Sequence, residues 1–168
     1  GRKTGGGSSF VVSGDSIVPS DKTESNTPNT ELKFIDLKDF KWAEKEISYL
    51  SSIGVISGKS KDLFCPEQNV TREEFVKMIV EAFKIKSKGK EETFSDVKAD
   101  DWFYSHLAAA KEFGIITGND DGSFGVGRYI TREEMAVMIY RTIKLLNIKL
   151  DDMDIYNAFA DEASISPY

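Results

Sequence analysis

Val70-Thr71-Arg72-Glu73-Glu74-Phe75-Val76-Lys77-Met78-Ile79 returns later in the chain as Ile130-Thr131-Arg132-Glu133-Glu134-Met135-Ala136-Val137-Met138-Ile139. Each copy opens with a threonine followed three residues on by a glutamate. That spacing predicts a capping box, in which the hydroxyl accepts from the glutamate's amide while its carboxylate accepts from the threonine's amide. Behind the box, Phe75, Met78, Ile79, Ala82 and Phe83 recur at helical spacing, as do Met135, Met138, Ile139 and Ile143.

Working outward from this pair, one constant shift lays Phe34 on Phe94, Asp36 on Asp96, Trp42 on Trp102 and Gly54 on Gly114. It also lays Ile56 on Ile116, Gly58 on Gly118 and Phe64 on Phe124, with no gap. The chain is therefore an internal repeat. Ahead of the capping box each copy predicts another helix. In the first, Ala43, Ile47, Leu50 and Ile53 share a face, and Gly54 sits where a cap of positive φ is wanted. In the second, Leu107 and Ala110 precede Gly114. Ile56-Ser57-Gly58 and Ile116-Thr117-Gly118 read as brief extended turns, and Phe64 and Phe124 as side chains that fold the loop back. A two-helix unit cannot bury its apolar stripe alone, so the repeats must pack on one another or on another chain.

Four segments are expected: a flexible linker over 1–33, repeats over 34–93 and 94–158, and the opening of a third copy over 159–168. The linker reading rests on Gly5-Gly6-Gly7-Ser8-Ser9 and on the polar run from Ser20 to Thr30. The third copy begins at Phe159-Ala160-Asp161, after a slightly longer connection. Since the first residue is Gly1 rather than Met, a piece of a longer protein is expected. Self-association is expected if the faces meant for a third repeat stay open.

Composition narrows the function. The 168 residues carry a formal net charge of -6, which opposes binding along a nucleic-acid backbone. No apolar run approaches the ~20 residues that cross a bilayer, so no membrane insertion is expected. Cys65 stands alone, so no internal disulfide can form.

The ordered string Phe-x-Asp, Trp, Gly-[Val/Ile]-Ile-x-Gly, Phe, [Val/Ile]-Thr-Arg-Glu-Glu resembles the S-layer homology domain family, over Phe34 to about Lys144 and again at Phe159. The resemblance implies an all-α fold of tandem helix-loop-helix repeats, set as a pseudo-threefold prism with grooves between neighbours. It implies a non-catalytic module that anchors proteins in the extracellular cell wall or S-layer. Its partner would be secondary cell-wall polysaccharide attached to peptidoglycan, often carrying a pyruvate ketal; no cofactor is implied. The alternative is a protein-interaction module of a surface assembly.

The family's ligand-binding positions fall here on Arg72 and Arg132, Trp42 and Trp102, and Gly58 and Gly118 with their followers Lys59 and Asn119. A guanidinium in the first turn of a helix, beside unpaired amides, suits a carboxylate. An indole offers a flat apolar face to a sugar ring, and glycine lets a ligand approach the backbone. Each position also has a plainer reading. Thr71 and Thr131 are first of all caps; Arg72 and Arg132 could be ordinary surface arginines. Trp42 and Trp102 could anchor the core, and Asp36 and Asp96 could brace a helix start. Two departures stand out: Gly125-Val126 replaces Cys65-Pro66, and the third copy has no Thr-Arg-x-Glu within the sequence.

Other chemistries fit worse. Setting Gly122 sixth in a calcium loop puts Thr117 first and Arg128 twelfth, where acidic ligands are required. His106 is the single histidine, and no Cys/His cluster exists to hold zinc. Glu73 and Glu74 are adjacent on a helix and point apart, a poor acid/base pair. The loop from Val55 to Val70 is too long for a DNA-binding helix-turn-helix.

Overall fold

The computed structural model describes residues 34–89 and 93–149. They form a 3-10 turn at Ile35–Leu37 and four helices: α1 Lys41–Ser52, α2 Arg72–Ala82, α3 Tyr104–Glu112 and α4 Arg132–Leu145. The expected linker and the opening of the third copy lie outside the described residues. Among those described there is no strand. The expected extended turns at 56–58 and 116–118 are irregular, and one isolated antiparallel bridge, Thr71 to Tyr129, joins the two repeats.

The helix limits reflect local chemistry. Both capping boxes form in full, the amides of Thr71 and Thr131 donating to Glu74 Oε2 and Glu134 Oε2 at 3.0 and 2.9 Å. Each contributes about 1 kcal/mol. After α1 and α3, Gly54 and Gly114 take φ of +80° and +69°, the left-handed conformation that ends a helix cheaply in glycine. In each repeat two phenylalanines lock the loop to the start: Phe34 with Phe64 at 5.4 Å between ring centres, and Phe94 with Phe124 at 5.3 Å.

Asp36 and Asp96 secure the same loop, rather than bracing a helix start. Asp36 accepts from the amides of Phe64 and Cys65 at 3.0 and 2.7 Å. Asp96 accepts from those of Phe124, Gly125 and Val126 at 2.7, 2.8 and 2.9 Å. The amide of Phe64, with that of Cys65 behind it, holds the Asp36 carboxyl below its ordinary pKa. Burial pushes Asp96 up, but its three amide donors outweigh this and leave it lowered.

Helix α2 corrects the expected apolar stripe. Its most buried side chains are Val76, Ile79 and Val80, while Ala82 and Phe83 lie exposed. The helix has two working faces. Met78 packs into the first repeat with Phe34, Leu37, Ile47, Val55 and Ile56. Val76, Ile79 and Val80 join the second repeat, against Phe103, Leu107 and Ala110 among others. Burying each of these three contributes about 1.5–3 kcal/mol. A single stripe drawn on the sequence averages the two faces. Helix α4 repeats the design with its second face more open: Ile139 is 46% exposed where its counterpart Ile79 is 6%. Tyr140, counterpart of the buried Val80, is exposed too.

Candidate functional site

Two grooves occupy equivalent positions in the two repeats. The first, about 340 Å³, runs along Ser57-Gly58-Lys59 over a floor of Ile56 and Met78, and Trp102 of the second repeat closes one side. The second, about 80 Å³, runs along Thr117-Gly118-Asn119 over Ile116 and Met138, and receives Arg72 from the first repeat. Each groove is thus one repeat's loop completed by a side chain from its neighbour. Trp102 is 57% exposed, its ring edge-on to Phe103 at 5.1 Å, and so offers indole surface to the groove. Trp42 is 82% exposed and lines neither groove.

The two motif arginines have opposite fates. Arg72 is 6% exposed and crosses between repeats. Its Nη1 pairs with Glu134 Oε1, its Nε donates to the carbonyl of Phe124 at 3.1 Å, and its guanidinium lies 4.7 Å from the centre of the Phe124 ring. Arg132 is exposed and lines neither groove. The backbone around Arg72 supplies the reason. Its amide donates to the carbonyl of Arg128 at 2.9 Å, and Ile130 donates back to Val70 at 3.1 Å. This zipper draws the second repeat over Arg72.

Glu73 and Glu74 diverge, as their adjacency implies. The amide of Gly127, in the other repeat, donates to the two Glu73 carboxylate oxygens at 3.2 and 3.1 Å. Glu74 uses one oxygen for its cap and the other to hold Lys59 in the first groove. Burial pushes Glu74 up, but Lys59 and Thr71 prevail and lower it; burial likewise pushes Glu134 up, but the Thr131 amide and Arg72 prevail and leave it lowered. Asn119, at Lys59's place in the second repeat, instead donates to Ser123 Oγ at 2.9 Å.

The glycines have a stronger reason than ligand approach. A Cβ on Gly58 would run into the ring of Phe34, and one on Gly118 into the ring of Phe94. They let each loop cross its own repeat's first phenylalanine. Gly125 has a φ of +85°, and a Cβ there would lie 3.3 Å from Arg128 Nε. Its counterpart Cys65 also has positive φ, +61°, in a groove with no arginine among its described lining residues. His106 ties the repeats together, its Nε2 2.9 Å from Glu81 Oε1. Lys77, Gln68 and Arg141 line the grooves without belonging to any matched motif. Each breaks the repetition: Lys77 stands against Val137, Gln68 against Arg128 and Arg141 against Glu81.

The S-layer homology domain family matches the chain at residues 33–76 and 93–136. The chain belongs to that family. S-layer homology domains are non-catalytic modules of S-layer and cell-surface proteins, and they anchor those proteins to the cell wall. The present domain is 32% identical over 153 residues to an endoglucanase of Bacillus sp. (strain KSM-635), covering 90% of this chain and 16% of that protein. It is 35% identical over 137 residues to the exoglucanase XynX of Acetivibrio thermocellus, covering 82% and 12%. It is 29% identical over 134 residues to the surface-layer 125 kDa protein of Lysinibacillus sphaericus, covering 76% and 11%. The domain thus spans only a small share of relatives whose names differ widely, and what they have in common is this segment rather than a reaction.

Proposed function

We propose that this S-layer homology domain holds its parent protein on secondary cell-wall polysaccharide, outside the cell in the wall or S-layer, by binding acidic sugar residues such as pyruvate ketals in the inter-repeat grooves. The observation that carries this reading is the first groove. An exposed indole from one repeat faces a glycine-lysine turn of the other across an open, apolar-floored cleft. That pairs a platform for a sugar ring with a cation for its acid group. In this reading Trp102, Gly58 and Lys59 serve the first groove, and Arg72, Gly118 and Asn119 the second. Trp42 and Arg132 are the same positions on faces left open. The division into a tether through residue 33, repeats over 34–93 and 94–158, and a third copy opening at 159 belongs to the same proposal.

Purified sacculi, with and without their secondary polysaccharide, test it. The chain should be retained on the intact walls and released from stripped ones; equal retention on both refutes glycan recognition. One observation favours a second reading, an assembly module that also holds protein, including further copies of itself. The face of α4 carrying Ile139 and Tyr140 is open where its counterpart on α2 is buried. That reading predicts loss of retention after proteolysis of wall proteins, and concentration-dependent light scattering from the isolated chain.

A further inference from the structure

The junction of α2 with α3 has two halves, and the repetition copies each half once more onto an outer face of the chain. On the α2 side Ile79, Val80 and Glu81 become Ile139, Tyr140 and Arg141 on α4. On the α3 side His106, Ala109 and Phe113 become Glu46, Tyr49 and Ile53 on α1. The residues of the inner junction are buried or half-buried, whereas Ile139 and Tyr140 on α4 and Glu46, Tyr49 and Ile53 on α1 are exposed.

Charge decides what fits these faces. Inside the chain Glu81 on α2 meets His106 on α3 at 2.9 Å. On the outer faces both signs are exchanged: Arg141 stands at the place of Glu81, and Glu46 at the place of His106. The exchange leaves the α4 and α1 faces attractive to each other, while the α2 face, with Glu81, would repel Glu46. Arg141 Nη1 donates to the Ile115 carbonyl at 3.4 Å, and a guanidinium carries further N–H donors for a partner. A second position agrees. Arg72 crosses to Glu134 within the chain, and the same register on the outer faces brings the exposed Arg132 to Glu74, the counterpart of Glu134.

We infer that α4 of one copy docks on α1 of a second copy, in the register that α2 takes on α3, with Arg141 meeting Glu46 across the junction. Opposite signs at both charged positions, on faces whose counterparts already form a junction, commit the occupant to a second copy of this chain. The two faces differ, so the contact is head-to-tail. The inference rests on the assembly reading above and names the faces that it uses.

Sedimentation velocity of the full chain over a concentration series tests it. The parent should associate as its concentration rises. Arg141→Glu puts on α4 the residue that α2 already carries there, so the helix accepts it, and it should weaken association about tenfold or more by setting two acids together. Glu46→Lys should do the same by setting two cations together. Both changes in one chain restore opposite signs and should return the affinity to within about threefold of the parent. Far-UV circular dichroism checks that each variant is folded. A monomeric parent, single reversals without effect, or a double variant no better than the singles overturns the inference. In the last two cases association itself persists, and the assembly reading stands on other faces. A monomeric chain whose wall retention is lost after proteolysis of wall proteins assigns the faces to a different protein; a monomeric chain with protease-resistant retention removes the assembly reading as well.

Discussion

Arg72 and Arg132 occupy the same place in the same motif, yet their replacement by alanine should have very different effects. Arg72→Ala removes the cross-repeat pair with Glu134, the bond to the Phe124 carbonyl and the stacking on its ring. Removing one partner of a buried pair costs about 3–5 kcal/mol when the remaining charge has nothing else. Glu134 keeps Arg128 at 2.6 Å and the Thr131 amide at 2.9 Å, which moderates the loss. About 2–4 kcal/mol is expected, or a fall in Tm of about 8–16 °C for a unit of this size. Arg132→Ala, on an exposed side chain, should stay within about 0.5 kcal/mol. Urea unfolding followed by far-UV circular dichroism measures both, with unchanged m-values certifying a shared mechanism. A double-mutant cycle of Arg72→Ala with Glu134→Gln should return a coupling of about 1–3 kcal/mol. Equal losses from the two alanines, or a coupling near zero, would refute the claim that Arg72 fastens the repeats together.

The loop ties carry two further outcomes. Asp36 and Asp96 have folded pKa values below their unfolded ones, so their contribution is present above about pH 4 and fades as pH falls through the lowered values. Thermal melts should show constant stability near neutrality and a decline below about pH 4. Asp96→Asn should lower stability at neutral pH and flatten that acid limb; an unaltered limb would show that the amide donors do not matter. Gly118→Ala should destabilise by about 1–3 kcal/mol, because the new methyl meets the Phe94 ring in a loop already at φ +79°. A urea midpoint equal to the parent's would contradict this.

Much of the architecture was legible in the chain. The repeated Thr-Arg-Glu-Glu marked both second helices to the residue, since a capping box is a local arrangement of hydroxyl, carboxylate and amide that needs no distant partner. Gly54 and Gly114 marked the ends of the first helices for an equally local reason. The pairing of Trp102 with the Gly58-Lys59 loop was only half legible: the residues could be named, but not which tryptophan would meet which loop.

What the sequence by itself determined is the repeat, its caps, its loop glycines and hence the family, because all of these depend on interactions within one copy. Tertiary structure alone decided how identical motifs part company. Helix α2 is buried on two faces while one face of α4 stays more open; Arg72 is enclosed and Arg132 is not; one groove stays open with two lysines while its twin is filled by a neighbour's arginine. The physical reason is that each repeat meets a different environment on its two sides. A residue's role at such a boundary is set by the solvent it loses and the charge it finds there, and neither is written in its own copy of the motif.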